Sequence, residues 1–381
     1  MQRYIDDNLL AGANAVILKD GEIVDQHCWG YANIENQQPI EMDTIFRIYS
    51  NTKIITSVAA LCLLEDGKYD LDDPLSKYIP AFANLQVLKP GATSIEETEA
   101  ATSPPTVRQV FCHNAGFSYG FIMEAPIIDA AYNAAPVNDP NSTLADLMTK
   151  LSQFPLAYQP GSRWQYSFST DILARLVEVW SGQTFAEFLQ ARIFAPLGMT
   201  DTGFFVPQEK RDRLATNYLP VDPMDPMKGG LNPVPPEMDA SYIDDTPFTS
   251  GGGGLVSTIN DYTTFIQMLI GNGTLGDTQI LKPETVAMMQ QNQLADGVQV
   301  KLPNWVMPDT VFGLGVALKT APQDGEPASA VGEYHWGGMA GTHTWVAPGA
   351  NLAALIFTQR LPGFWHPFSH EFKRLVYQAA G

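Results

Sequence analysis

At 381 residues the chain can bury roughly two domains' worth of core, and its 45% hydrophobic and 10% aromatic content excludes a disordered polymer. Its 41 acidic residues against 22 basic ones give a net charge of −19, which repels phosphate backbones and anionic lipid headgroups. Nucleic acid and membrane surfaces are therefore excluded as partners, and a neutral small-molecule substrate is favoured over an anionic one.

The opening stretch MQRYIDDNLLAGANAVILKDGE lacks the basic start and long apolar run of a secretory signal. No stretch approaches the roughly 18 uninterrupted apolar residues of a membrane span. Cys28, Cys62 and Cys112 are odd in number, widely spaced and set among apolar neighbours, so we read them as reduced core residues of a cytoplasmic protein. Residues 15–18 (AVIL), the turn signal Lys19-Asp20-Gly21 and residues 22–29 form a hairpin pattern. Residues 44–49 (TIFRIY) predict a short strand. From Ser50 the period changes. Ile54, Ile55, Val58, Leu61, Cys62 and Leu64 recur at helical spacing up to Gly67, and so broad a stripe belongs to a buried central helix.

From about residue 68 to 250 the pattern is mostly helical with long connections. Residues 169–182 (STDILARLVEVWSG) predict a helix with Ser169 as N-cap and a glycine stop, and residues 183–198 predict a second. Residues 219–247, rich in proline and methionine, predict an ordered surface loop bordering a cleft. Residues 260–273 predict another helix. Residues 312–318 (FGLGVAL), 342–347 (THTWVA) and 352–358 (LAALIFT) read as strands, followed by a helix over about 369–378. Strands at both ends with helices between them predict one α/β domain assembled from 1–66 and 250–381. A mostly helical domain, 67–249, is inserted, and the active site falls in the cleft between the two.

Two serines compete as nucleophile. GFSYG (116–120) fits G-x-S-x-G, but a nucleophile elbow needs a tight strand-to-helix turn. Here Ser118 follows what reads as a helix end and precedes a proline, without the repeated βαβ pattern of such enzymes. The rival is Ser50-x-x-Lys53 at the head of the central helix. Residues three apart share a helix face, so the Lys53 amine can reach the Ser50 hydroxyl. The helix N-terminus favours negative charge developing on Ser50 Oγ, and burial would lower the lysine pKa towards that of a usable base. The glycines at 251–254 precede no Gly-Lys-Ser/Thr, so a hinge or close backbone approach is expected there, not a phosphate loop. His366 and His370 have Pro367 between them and no third ligand, so we read them as packing histidines and expect no metal.

S-x-x-K alone recurs by chance, but the partners are present. The segments FRIYSNTKIITSVAALCLLEDGKYDLDDPLSKYIP, VRQVFCHNAGFSYG, PGSRWQYSFSTDILARLVE, LGMTDTGF, GGGGLVSTINDYTTFIQMLIGNG and YHWGGMAGTHTWVAPG occur in order along nearly the whole chain. Together they resemble the serine β-lactamase and penicillin-binding-protein superfamily, and within it the β-lactamase-like carboxylesterases of esterase family VIII. The resemblance implies the β-lactamase/transpeptidase-like fold: an α/β (α+β) architecture with an antiparallel sheet flanked by helices and an inserted all-helical domain. It places Ser50 as nucleophile, Lys53 one turn on, and Tyr166 at the second-motif tyrosine. Trp336-Gly337-Gly338 stand where β-lactamases carry Lys-Thr-Gly, and the backbone N–H groups of Ser50 and Met339 form the oxyanion hole. It gives His113 no direct chemical role beyond ordering its loop.

The pattern departs from β-lactamases at two points. Trp336 replaces the lysine that meets a substrate carboxylate, and Phe168 replaces the asparagine of Tyr-x-Asn. Both make the pocket more apolar. The expected activity is a cofactor-free carboxylesterase acting on short-chain neutral esters, with weak β-lactam hydrolysis as a side activity, in a monomer or small homo-oligomer. Phe117 and Tyr119, with the 219–247 loop, are candidate pocket residues. The alternatives are a β-lactamase or D-amino-acid peptidase/amidase, an acyltransferase, and a catalytically silent ligand-binding relative. Whether Lys53 or Tyr166 is the base is open at this level.

Overall fold

In a computed structural model, residues 1–121, 125–239, 242–302, 305–364 and 366–380 are described. After a one-turn helix, Gln2–Asp6, come strands β1 (Gly12–Lys19), β2 (Glu22–Asn33) and β3 (Gln38–Pro39), with Asp20 and Gly21 turning β1 into β2. Strand β4 (Ile45–Arg47) leads through a 3₁₀ turn, Tyr49–Asn51, into helix α1 (Thr52–Glu65). The short helix α2 (Val107–Phe111) and helix α3 (Ser169–Ser181) follow. Then come β5 (Val256–Thr258), α4 (Ile259–Ile270), β6 (Thr310–Phe312), β7 (Ala317–Lys319), β8 (Tyr334–Gly337), β9 (His343–Ala347), β10 (Leu352–Thr358) and the last helix, α5 (Pro367–Ala380).

Eight strands form one antiparallel sheet in the order β6-β7-β8-β9-β10-β1-β2-β3. The chain's two ends meet at its middle, where β10 pairs with β1 from Ala13↔Thr358 to Lys19↔Leu352. LAALIFT is apolar throughout because both faces of β10 are covered. Leu352, Ala354 and Ile356 pack with Phe368, Phe372 and Val376 of α5, while Ala353, Leu355 and Phe357 join the core that holds α1 and α4. Helix α1 is buried at every residue from Thr52 to Leu63, and α3 packs against it. No helix among the described residues is long and apolar enough to cross a membrane.

Several local expectations change. Residues 312–318 are not one strand: β6 and β7 are joined by a turn in which Gly313 N–H bonds to Val316 O (2.8 Å) and Gly315 takes a positive φ of 86°. Ser169 is the first residue of α3 and Phe168 precedes it as N-cap. The 183–198 helix widens into a π turn over Gln190–Phe194. Pro196 follows there, and it cannot donate the N–H that would bond back to Arg192. Cys62 and Cys112 are buried in the core as expected, but Cys28 is half-buried on β2, beside Met42 Sδ (3.5 Å). In the 219–247 segment, residues 240 and 241 lie outside the described ones. Its Met224, Met227 and Met238 are exposed, and the Pro226 carbonyl is bonded to buried His366 (2.8 Å).

Candidate active site

The segment that carries Ser50 is held from both sides. Strand β4 pairs with β5, the Ile48 N–H continues that ladder to Leu255 O (3.0 Å), and Thr342 Oγ1 donates to Ile48 O (3.0 Å). Tyr49 then takes a left-handed φ of 44°. For a non-glycine residue this costs about 1–3 kcal/mol and persists only where packing holds it. Asn217 Nδ2 bonds to Tyr49 OH (2.9 Å), and the Tyr49 ring meets Tyr242 at 5.4 Å. The bend delivers Ser50, half-buried, at the head of α1 one turn before Lys53. Tyr262 OH donates to Asn51 O (2.9 Å), locking the helix start.

Around the Ser50 hydroxyl, groups far apart in sequence converge. Lys53 Nζ lies 3.3 Å from Ser50 Oγ, and Tyr166 OH donates to the same oxygen at 2.6 Å. Trp336 Nε1–H donates to Tyr166 OH (3.2 Å), so the tryptophan from β8 orients the phenol. Lys53 also reaches Gly252 O (2.5 Å) and Tyr119 OH (3.2 Å), and its ammonium lies 4.5 Å from the Tyr166 ring centre. Tyr119 OH in turn lies 3.3 Å from Asp171 Oδ2 on α3, whose Oδ1 accepts from Ser250 Oγ (2.5 Å) and Gly252 N–H (3.0 Å).

Burial dominates the electrostatics. It pulls Lys53 down to about 7, opposed by the Asp171 charge. Burial pushes the Tyr166 phenol well above 10, opposed by its bonds to Ser50 and Trp336. Asp171 is raised by burial, a rise only partly offset by Lys53, Ser250, Gly252 and Tyr119. Beneath Tyr166 lies the buried His113, ring centres 4.9 Å apart, with Nδ1 3.2 Å from Ser167 Oγ. Its pKa falls well below 6.5 through burial and then the Lys53 charge, so His113 stays neutral and acts as a packing and ordering group.

The structure brings Ser50, Lys53, Tyr166, Trp336 and Tyr119 together. The turn after β8 packs against the Ser50 segment: a Cβ on Gly338 would strike Ile48 O, and Gly338 N–H bonds to Thr342 O (2.6 Å). Gly337 pairs with His343 in the sheet, and half-buried Met339 sits in this turn with its carbonyl bonded by Gly363 N–H (2.7 Å). Two pocket candidates fall elsewhere. Phe117 is 1% exposed and packs on Phe82 (5.4 Å), because its side chain points into the helical core. Phe168 is buried behind Tyr119 (4.7 Å) and Tyr132 (6.0 Å). Ser118 is fully buried, donates to Asp129 and accepts from Gln165 Nε2 (2.7 Å). Asp129 also takes the Gly120 and Ala125 N–H groups, so GFSYG is a loop clamped by a carboxylate.

Asp171 was missed from the sequence, where it sits inconspicuously in the first turn of a helix. The glycine run carried the available signal. A Cβ on Gly252 would strike the Tyr119 hydroxyl and the Asp171 carboxylate, which is the close backbone approach expected there. A cavity of about 620 Å³ opens behind β8, lined by Arg3, Lys319, His335, Lys373 and Arg374, but none of the Ser50 group borders it. Its Lys319 and Lys373 are already paired with Glu326 and Glu333 (each 2.5 Å). Among the described residues no cluster of His, Cys, Asp and Glu could hold a metal ion.

Among known proteins, the family model Beta-lactamase matches residues 1–377. The chain is 32% identical over 370 residues to Protein Rv1367c of Mycobacterium tuberculosis (strain ATCC 25618 / H37Rv), covering 95% of this chain and 89% of that protein. It is 28% identical over 365 residues to Esterase EstB of Burkholderia gladioli, covering 92% and 86%. Of solved structures, EstCE1, a hydrolase with promiscuous acyltransferase activity, superposes with a TM-score of 0.81 at 25% identity, covering 99% of this chain and 96% of that one.

Proposed function

The chain belongs to the beta-lactamase family, and from that premise we propose that it is a carboxylesterase that cleaves short-chain neutral esters through an acyl-enzyme on Ser50. The observation that carries this is the placement of Ser50 Oγ between Lys53 Nζ (3.3 Å) and Tyr166 OH (2.6 Å). Lys53, near 7, is substantially neutral at physiological pH and takes the Ser50 proton as Oγ attacks the ester carbonyl. Tyr166, held protonated by burial, donates to the reacting oxygen and then to the leaving alcohol. It is reprotonated from the Lys53 ammonium beside its ring. The Ser50 and Met339 N–H groups receive the oxyanion. Water then repeats the sequence in reverse on the acyl-enzyme.

A preference for neutral esters is supported by Trp336, which the resemblance places where β-lactamases carry a lysine and which spends its own N–H on Tyr166. We expect turnover of p-nitrophenyl butyrate to exceed that of nitrocefin and of D-Ala-D-Ala peptides. A faster nitrocefin rate would overturn the assignment in favour of a β-lactamase. Intact-mass spectrometry after treatment with a serine-directed phosphonate should show one adduct on Ser50, and its absence would mean a silent binding protein. The likeness to EstCE1 supports a second use of the same acyl-enzyme, transfer to an added alcohol, which product analysis in alcohol-supplemented ester assays would reveal.

Gly252→Ala is expected to lower ester turnover by roughly tenfold or more, because a displacement near 1 Å at Tyr119 and the Gly252 carbonyl misplaces Lys53. Wild-type kcat/KM in this variant would show that Lys53 needs neither contact.

A further inference from the structure

We propose that Asp171, acting through Tyr119, is the standing counter-ion of Lys53, a positioning carboxylate that stabilises the ammonium formed only when Ser50 gives up its proton. The proposal rests on the Ser50–Lys53–Tyr166 assignment and adds to it a fourth and a fifth residue. The geometry is a closed ring. Lys53 Nζ contacts Tyr119 OH (3.2 Å), Tyr119 OH contacts Asp171 Oδ2 (3.3 Å), Asp171 Oδ1 holds Gly252 N–H (3.0 Å), and Gly252 O accepts from Lys53 Nζ (2.5 Å). Asp171 is 1% exposed, and its hydrogen bonds come from Ser250 Oγ, Gly252 N–H and Tyr119 OH, a donor set suited to an ionised carboxylate.

The charges around Lys53 favour this role. Ser50 faces it from the head of α1, His113 and Tyr119 from the loop after α2, Tyr166 from the segment before α3, and Asp171 from α3 itself. Tyr242 lies beyond Tyr119. His113 is held neutral by burial, and burial keeps Tyr119 and Tyr166 protonated. Asp171 supplies the negative charge. In the attack, the Ser50 O–H bond breaks as the Oγ–carbon bond forms, the proton moves to Lys53 Nζ, and the carbonyl electron pair becomes the oxyanion. The resting site thus holds a neutral amine beside a fixed carboxylate, and the transition state gains a cation beside it. That attraction strengthens only along the reaction, which is the condition for accelerating it.

If Asp171 only clamped the glycine loop, its loss would lower rates without moving a titration. The test is the pH dependence of the p-nitrophenol burst and of kcat/KM on p-nitrophenyl butyrate, for wild type, Asp171→Asn, Asp171→Glu and Tyr119→Phe. Removing the charge weakens the ammonium, so the acid limb should move down by about one pH unit in Asp171→Asn. The plateau should fall roughly 10- to 100-fold, with KM little changed. Tyr119→Phe keeps the ring and should shift the limb the same way by less, and it decides the matter if Asp171→Asn does not fold. Asp171→Glu should hold the limb near its wild-type position. A limb unmoved in Asp171→Asn, or in Tyr119→Phe where that variant decides, overturns the proposal. Phosphonate labelling of Ser50 in the same samples separates the two ideas. Labelling with an unmoved limb sinks Asp171 alone, whereas no label on wild-type Ser50 sinks the underlying assignment as well.

Discussion

Ser50→Ala is expected to lower kcat/KM on a short acyl ester by roughly 10⁵-fold, while Ser118→Ala retains activity within about fivefold. The contrast follows from surroundings, since both serines are hydroxyls in hydrogen-bonded sites. Ser50 is half-buried and contacted by an amine that burial pulls down to about 7 and by a phenol. Ser118 has no exposure, and its partners are Asp129 and Gln165. Losing the Ser118 hydroxyl leaves Gln165 Nε2 without its acceptor and takes one donor from Asp129, which keeps the Gly120 and Ala125 N–H groups, and should cost about 1–3 kcal/mol of stability, read as a lower melting temperature with the ester rate preserved. Loss of activity in folded Ser118→Ala, with survival in Ser50→Ala, would move the chemistry to GFSYG.

The second large effect concerns the base. With Lys53 near 7, kcat/KM should have an acid limb with its midpoint near pH 7, falling tenfold per unit below it as the amine becomes protonated and unable to accept the Ser50 proton. Lys53→Arg keeps a cation that never deprotonates at working pH, so it should lose roughly 10³-fold or more at every pH, and the limb should vanish. Tyr166→Phe should lose roughly 10²- to 10⁴-fold but keep the limb, because the phenol acts as donor and not as the titrating base. A limb that disappears in Tyr166→Phe and survives in Lys53→Arg would exchange the two roles.

Much of this site could be read from local pattern. The hydrophobic period changes at Ser50, where strand-like TIFRIY gives way to a helix buried all round, and S-x-x-K at that junction places amine and hydroxyl on one face. The helical spacing of α3 and α4 and the continuous apolar run of β10 likewise name their elements. The misses share a cause. FGLGVAL has strand composition, and only the positive φ at Gly315, packed against Ser57, folds it into a hairpin. Phe117 and Tyr119 lie two apart in one loop, yet the first turns into the core on Phe82 and the second reaches Lys53. No local period distinguishes them.

The sequence by itself determined the central helix, the later helices and the apolar strand β10, and which residues could carry acyl-transfer chemistry, because side-chain period and residue type are properties of the local chain. Only the tertiary structure decided which residues beyond the set implied by the resemblance lie beside Ser50, and how closely they approach. Tyr166 lies 116 residues from Ser50, yet its hydroxyl comes within 2.6 Å. Asp171, on the same helix as a dozen ordinary residues, closes on Lys53 through a tyrosine and a glycine carbonyl. The physical reason is burial. Packing of α1, α3 and the glycine loop removes water from Lys53 and Asp171, which pulls the amine down to about 7 and pushes the carboxyl up, and that desolvation belongs to the assembled core.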